Sequence, residues 1–266
     1  MAGAGDDLDL LVQAAREAGA LAMTFFRKDP KTWAKGETSI VSEADIALDQ
    51  LLFTRLTEAR PDYGWLSEET ADDDTRLSRQ RVFVVDPIDG TRGFLAGGTE
   101  WTVSIAVVEN GLPIAAALFA PALDMMFQAT AGRGATANGQ PMQVSPRTEL
   151  VGASVAGSRR LVRDAQEFSS VSLEYYGFVT SLAYRFALVA KGEVDAAIAR
   201  PGSHDWDLAA ADLLVHEANG RLADLSGGRP RYNGREPRHP TLLATTPALS
   251  EAMAKVVEKT DRAQAK

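Results

Sequence analysis

The chain contains no cysteine. This excludes disulfides, thiolate metal sites and a cysteine nucleophile, and leaves oxygen and imidazole as metal donors. Histidine is scarce as well, and His204, His216 and His239 are dispersed, which argues against zinc and for structural roles. No apolar run approaches the ~18 residues of a membrane span, and the acidic start from Met1 to Asp9 lacks the basic stretch of a secretory signal. A cytoplasmic location is therefore expected. The formal net charge of −8 opposes a nucleic-acid polymer or an anionic membrane as partner, while a few local cations suffice for one small phosphorylated molecule. Several catalytic signatures are also missing. There is no G-x-x-x-x-G-K-[ST] phosphate loop, no G-x-S-x-G elbow and no H-E-x-x-H pair. Gly132-Arg133-Gly134-Ala135-Thr136-Ala137 fits a dinucleotide fingerprint in form, but Asn138-Gly139-Gln140-Pro141 breaks the helix that such a unit needs, so a hairpin loop is expected.

What is present is an ordinary globular balance, 45% hydrophobic and 24% charged over 266 residues, enough for a substantial core. Apolar positions Leu8, Leu11, Val12, Ala15, Ala22, Phe25 and Phe26 predict a first amphipathic helix. Ser42 opens a second, running through Ile46, Leu52 and Leu56 to end before Pro61, with Lys35 to Val41 as a connecting loop or hairpin. From Arg81 the pattern predicts strands at Val82–Val85, Thr102–Val108, Pro113–Phe119 after an Asn110-Gly111 turn, and Met125–Ala129. Beyond Arg147 it alternates. Strands are expected at Val151–Ala156, Val194–Ala199 and Leu242–Ala244, helices near Thr180–Ala190 and Trp206–Ala218, and a charged, fraying helix from Glu251. A boundary at residue 147 is expected, dividing the chain into halves 1–147 and 148–266.

Three acidic sites stand out. The apolar strand Val82–Val85 runs into Asp86-Pro87-Ile88-Asp89-Gly90-Thr91, placing two carboxylates at the end of a buried element where a hard cation, donors or water must satisfy them. Gly90 permits a tight turn that turns backbone N–H groups toward an anion; an ordinary Asp-Pro/Asp-Gly loop is the alternative. Trp65-Leu66-Ser67-Glu68-Glu69 repeats the pattern. Asp205 and Asp207 in His204-Asp205-Trp206-Asp207-Leu208 also fit a helix cap, and Ser42-Glu43-Ala44-Asp45 reads as a capping box. Lys35 and Gly36 precede it on the connection, where the lysine meets either an anion or water.

Together the Trp65–Glu69, Asp86–Thr91 and Trp206–Ala210 segments, in that order, resemble the three signatures of the inositol monophosphatase superfamily, and Glu217-Ala218-Asn219-Gly220 is similar to a further family segment. The resemblance spans nearly the whole chain. It implies a layered α-β-α-β-α sandwich with an N-terminal α+β half and a C-terminal α/β half. It implies that Glu68, Asp86, the Ile88 carbonyl and Asp89 hold magnesium, that Asp207 completes a second metal position, and that two or three ions bind in all. Oxygen-only donors suit that ion. Two ions about 4 Å apart polarise a phosphoryl group and acidify a bound water, so no covalent intermediate is needed. Thr91, supported by Asp45 or Glu68, would orient the attacking water, and the Gly90 and Thr91 amides would hold the phosphate beside Asp89.

Substrates of the superfamily include inositol monophosphates, 3′-phosphoadenosine 5′-phosphate, histidinol phosphate and fructose 1,6-bisphosphate. Inositol-preferring members carry an acid shortly before the Trp-Asp motif, where this sequence has Arg200-Pro201. Arg200, with Arg185 as a second phosphate partner, implies a more anionic substrate, so the bisphosphate nucleotide is placed first, inositol monophosphate second and histidinol phosphate third. The Thr91-Arg92-Gly93-Phe94 run with Trp101 resembles the third class. A homodimer and lithium sensitivity are further implications. A metal-dependent binding module without turnover is the competing class, and the presence of Glu68, Asp86, Asp89 and Asp207 together argues against it.

Overall fold

The computed structural model describes residues 3–35 and 39–264. Gly36 lies outside them. Helix α1 (Ala4–Phe25) is followed by a hairpin of β1 (Thr32–Lys35) and β2 (Ser39–Ser42), then by α2 (Glu43–Ala59), capped by Ser42 and ending just before Pro61. Next come β3 (Gly64–Ser67), β4 (Arg81–Asp89), the short α3 (Thr91–Leu95), β5 (Thr102–Glu109), β6 (Leu112–Ala120), β7 (Met125–Thr130), β8 (Ala135–Ala137) and β9 (Gln140–Pro141). The remainder is β10 (Ala153–Ala156), α4 (Arg159–Ser169), β11 (Leu173–Gly177), α5 (Leu182–Ala190), β12 (Ala196–Ala199), α6 (Asp205–Glu217), β13 (Arg221–Asp224), β14 (Leu242–Thr245) and α7 (Ser250–Gln264). None of these helices is long and apolar enough to cross a membrane.

Strands β3 to β9 form a seven-stranded sheet in sequence order, with β3 and β4 parallel and the other neighbours antiparallel. The Asn110-Gly111 turn between β5 and β6 has both residues at positive φ, 52° and 75°, the twist that suits a two-residue hairpin. The second sheet has five strands in the order β11-β10-β12-β14-β13. Helices α1 and α2 cover the outer face of the first sheet, α5 and α6 lie between the sheets, and α4 and α7 cover the outer face of the second. This is the five-layered α-β-α-β-α sandwich. Helix α6 packs against β4 to β7 as well as α5, so the central core draws on both ends of the chain.

Strand β4 explains its own composition. Phe83 and Val85 face α1 and α2 while Val82 and Val84 face the layer of α5 and α6, so both sides of the strand are buried and the run is apolar without alternation. The strand does not stop at Val85 as expected from the sequence; it continues to Asp89. Asp86 pairs with Ser104 and Asp89 with Thr102, so three steps along β4 match two along β5. That extra residue is a β-bulge around Pro87 and Ile88. Side chains alternate along a strand, so aspartates three apart would otherwise face opposite ways. The bulge turns Asp86 and Asp89 to the same face, the one toward α6.

Candidate active site

Three carboxylates meet where β4 faces α6. One oxygen from each of Asp86, Asp89 and Asp207 can be chosen so that all lie within 4.8 Å of one another. They form the floor of a cleft of about 600 Å³ lined also by Glu68, Ile88, Gly90, Thr91, Arg92, Thr180, Phe178 and Ile40.

Each side chain is held by its own local structure. The Glu68 amide donates to the Val85 carbonyl at 3.2 Å, extending the parallel β3–β4 pairing by one residue and setting Glu68 beside Asp86. The turn is clamped from below, where the buried Asp49 accepts from Ser67 Oγ at 2.5 Å and Thr70 Oγ1 at 2.6 Å. Lys35 donates to the Glu68 carbonyl and pairs with Glu69 at 2.9 Å, so it touches the protein's own acidic turn. Asp86 accepts from the Ile88 amide at 3.0 Å across the bulge.

Asp89 is the most constrained. It accepts from Ser181 Oγ at 2.5 Å and from the amides of Ala183 at 2.7 Å and Leu182 at 3.2 Å. Those amides belong to the first turn of α5, whose orphan donors and positive dipole end thus meet a carboxylate from the other sheet. Ser181 also accepts from the Tyr184 amide at 2.9 Å and lies 3.2 Å from Thr102 Oγ1. Neither Ser181 nor Asp49 stands in an acidic motif; the sequence signal for the first is its place as an N-cap serine before α5.

Asp45 and Asp207 combine the two readings that the sequence left open. Asp45 Oδ2 accepts from the Ser42 amide at 2.8 Å as a helix cap does, and its Oδ1 lies 3.1 Å from Thr91 Oγ1. Asp207 accepts from the His204 amide at 2.7 Å, closing the first turn of α6, and still faces Asp86 and Asp89. Thr91 Oγ1 is 3.0 Å from the Ile88 carbonyl as well. Gly90 sits at φ 93° and precedes α3; a Cβ there would lie 3.0 Å from the Ser181 amide nitrogen, and one on Gly93 would lie 2.2 Å from Thr180 Oγ1. Glycine is required because the two sheets' connections touch here.

The arginines are placed otherwise than expected. Arg185 does not line the cleft. Its guanidinium is turned inward and donates to the carbonyls of Val179 at 2.8 Å and Ile198 at 3.2 Å. Its place one turn into α5, between Tyr184 and the buried Phe186 and Ala187, sends it into the layer between the sheets. Arg200 is exposed at the end of β12 and is not among the residues lining the cleft. Phe94 and Trp101 form a buried edge-to-face pair at 4.9 Å beneath α3, a packing role, whereas Arg92 does reach the cleft. The histidines are structural partners: His239 meets the buried Asp205 at 2.7 Å, His216 meets Asp212 at 2.8 Å, and His204 stacks on Trp206.

Crowding of acids sets the electrostatics. Burial, then Asp207 and Glu69, push Glu68 up to about 8 against the opposing pull of Lys35. Burial and Asp89 raise Asp207 to about 7. Asp86 is held well above the usual carboxylate range by burial and by Glu68, Asp89 and Asp207. Burial raises Asp89 and Asp45 too, opposed at Asp89 by Ser181 and the α5 amides and at Asp45 by Ser42. Such a cluster is stable in its ionised form only with added positive charge. Its donors are hard oxygens with no nitrogen or sulfur among them, which fits magnesium.

Fold and site define a class, the hydrolytic centres built from carboxylates around hard divalent cations. Comparison with known proteins narrows it. A model of the inositol monophosphatase family matches residues 6–263. The chain is 32% identical over 262 residues to the inositol-1-monophosphatase of Mesorhizobium japonicum, covering 95% of this chain and 96% of that protein. It is 35% identical over 251 residues to the histidinol-phosphatase of Mycobacterium tuberculosis, covering 86% and 91% respectively. Among solved structures, an IMPase of Thermotoga maritima superposes with a TM-score of 0.85 at 26% identity, covering 97% of this chain and 99% of that one. The chain belongs to the inositol monophosphatase family. It is a phosphomonoesterase acting on small phosphorylated molecules, as members of this magnesium-dependent family are.

Proposed function

We propose that this enzyme hydrolyses the monoester of a small alcohol carrying a single phosphate, at a magnesium centre formed by Glu68, Asp86, the Ile88 carbonyl, Asp89 and Asp207. The observation that carries this is the cleft itself: a floor of converging carboxylates and, among the described residues lining it, one basic side chain, Arg92. The expectation of a bisphosphate nucleotide rested on Arg185 and Arg200. With the first turned toward backbone carbonyls and the second absent from the cleft lining, Arg92 is the one basic side chain among the described lining residues for the second phosphate of such a substrate to meet. Relatives named as an inositol-1-monophosphatase and a histidinol-phosphatase support a singly phosphorylated substrate.

Magnesium, when bound, supplies Lewis acidity to the phosphoryl oxygens and acidifies water. The protein's own part is positioning and proton movement. Thr91 Oγ1 accepts a proton from the attacking water as its own proton passes to Asp45 Oδ1, 3.1 Å away. Burial raises Asp45, so it holds that proton readily. As the water oxygen bonds to phosphorus, the ester P–O bond breaks and the departing alkoxide takes a proton from solvent. Gly90 and Thr91 line the cleft at the start of α3, and their amides would hold the phosphate oxygens.

The test is phosphate release with magnesium from inositol 1-phosphate, histidinol phosphate, fructose 1,6-bisphosphate and 3′-phosphoadenosine 5′-phosphate, with a chelator control. Chelator-sensitive release, highest from one of the two monophosphates, is expected. A clear preference for the bisphosphate nucleotide would overturn the single-phosphate reading.

A further inference from the structure

The cleft has apolar walls that the hydrolytic chemistry does not use. Phe178 is 62% exposed and Ile40 is 41% exposed, and both line the cleft above the carboxylate floor. A phenyl ring so exposed forgoes most of the stabilisation that burial brings. Its backbone is nevertheless firmly held. Val179, the next residue, is 1% exposed, and its carbonyl takes the buried Arg185 guanidinium at 2.8 Å. Thr180 donates to the Glu100 carbonyl at 3.1 Å and packs against Gly93, and Ser181 caps α5. The ring of Phe178 is thus presented to the cleft from an ordered segment.

The polar inventory of the walls points the same way. Away from Glu68, the three aspartates of the floor, Gly90 and Thr91, the described side chains offering polar atoms to the cleft are Arg92 and Thr180, and the Thr180 proton is committed to Glu100. A polyol would leave several hydroxyls without matched partners, whereas a flat ring meets a flat ring.

We propose that Phe178 selects the alcohol part of the substrate by stacking. The favoured class is the phosphate monoester of an alcohol that carries an aromatic or heteroaromatic ring a few bonds from the ester oxygen. Arg185, expected to bind phosphate, acts one step back as a positioning residue that fixes the Val179 carbonyl beside Phe178. The inference rests on the phosphomonoesterase reading above.

Three probes separate the two: 2-phenylethyl phosphate, 2-cyclohexylethyl phosphate and inositol 1-phosphate, each assayed with magnesium on the full chain. The first two leave as similar alkoxides and differ in the flatness of the ring. The wild-type enzyme is expected to favour the phenyl over the cyclohexyl compound by about tenfold in kcat/KM, the order of a base–aromatic stack. In Phe178→Ala and Phe178→Leu that ratio falls toward one, chiefly through KM for the phenyl compound, and Phe178→Trp restores it. Because the side chain is largely exposed, these variants should fold as the wild type does. A wild-type ratio near one, a ratio unmoved by Phe178→Ala, or a preference for inositol 1-phosphate over the phenyl compound would overturn the stacking proposal while leaving the phosphatase intact. No release from any of the three would overturn the stacking proposal, and silence on histidinol phosphate as well would overturn the single-phosphate reading with it.

Discussion

Magnesium binding should expel protons, and the number follows from the crowded carboxylates. Glu68 at about 8 and Asp207 at about 7 hold their protons in the metal-free enzyme at pH 6. Simple titration gives about 1.9 protons on these two groups at pH 6 and about 0.1 at pH 9. Asp86, raised further by its three acidic neighbours, adds to the first figure. A metal ligand must be deprotonated, so binding at pH 6 should release about two to three protons, and the release should fall by nearly two by pH 9. Over the lower part of that range the apparent association constant should climb about a hundredfold to a thousandfold per pH unit. Stability of the metal-free fold moves the other way. The folded values lie above the ordinary 4.5 and 3.8, so the folded state binds more protons, and this contribution is lost as pH rises through about 7 to 8. Calorimetric titration with magnesium in buffers of different ionisation enthalpy counts the protons, and thermal melts with and without the ion check the stability. Release of fewer than about one proton at pH 6, or the same release at both ends of the range, would refute the idea that these carboxylates raise one another.

Asp89→Asn should abolish magnesium-dependent turnover, about a thousandfold or more, because it removes one of the proposed metal oxygens and sets an amide N–H against the α5 donors; a fully active variant with a native circular dichroism spectrum would contradict the site. Ser181→Ala removes the 2.5 Å donor that fixes Asp89, and should weaken magnesium binding by about 10–100-fold, read by direct titration of the ion, with Ser181→Thr partly restoring it. Gly93→Ala places a methyl group 2.2 Å from Thr180 Oγ1 and should cost about 1–3 kcal/mol in denaturant unfolding, together with lower kcat/KM as the Phe178 segment shifts.

The parts of the fold legible in the sequence were those with a strong period or a strong breaker. Helix α1 followed its apolar spacing, α2 started at Ser42 and ended before Pro61, and β5 and β6 met at Asn110-Gly111. Strand β13, charged at both ends, and β11, with alternately exposed side chains, gave no such run, and α4 carries three arginines among few apolar residues. Carboxylates could be picked out because acids after apolar strands are conspicuous. Their support could not: Asp49 acts 18 residues from Ser67 and Ser181 acts 92 residues from Asp89, distances at which only the folded chain decides the neighbour. Arg185 misled because a charge was read without its surroundings, the apolar sequence of α5. The β-bulge escaped as well, since Pro87 and Gly90 read equally well as a turn.

That bulge makes spacing as binding a specification as chemistry. In Asp86-Pro87-Ile88-Asp89, the side chains between the aspartates could be exchanged for others that accept the same backbone, and both carboxylates would still point toward α6. Removing either intervening residue takes away the bulge's extra residue and leaves a regular two-for-two pairing with β5, in which the aspartates become next-but-one neighbours on one flat face and lose the offset that the bulge sets between them. Adding one while the bulge stays in place would reverse the parity of the second aspartate and send its carboxylate into the apolar layer beneath α1 and α2. The segment therefore works as a ruler: an insertion or deletion of one residue is a graver injury there than most substitutions, even one that leaves every acid in place.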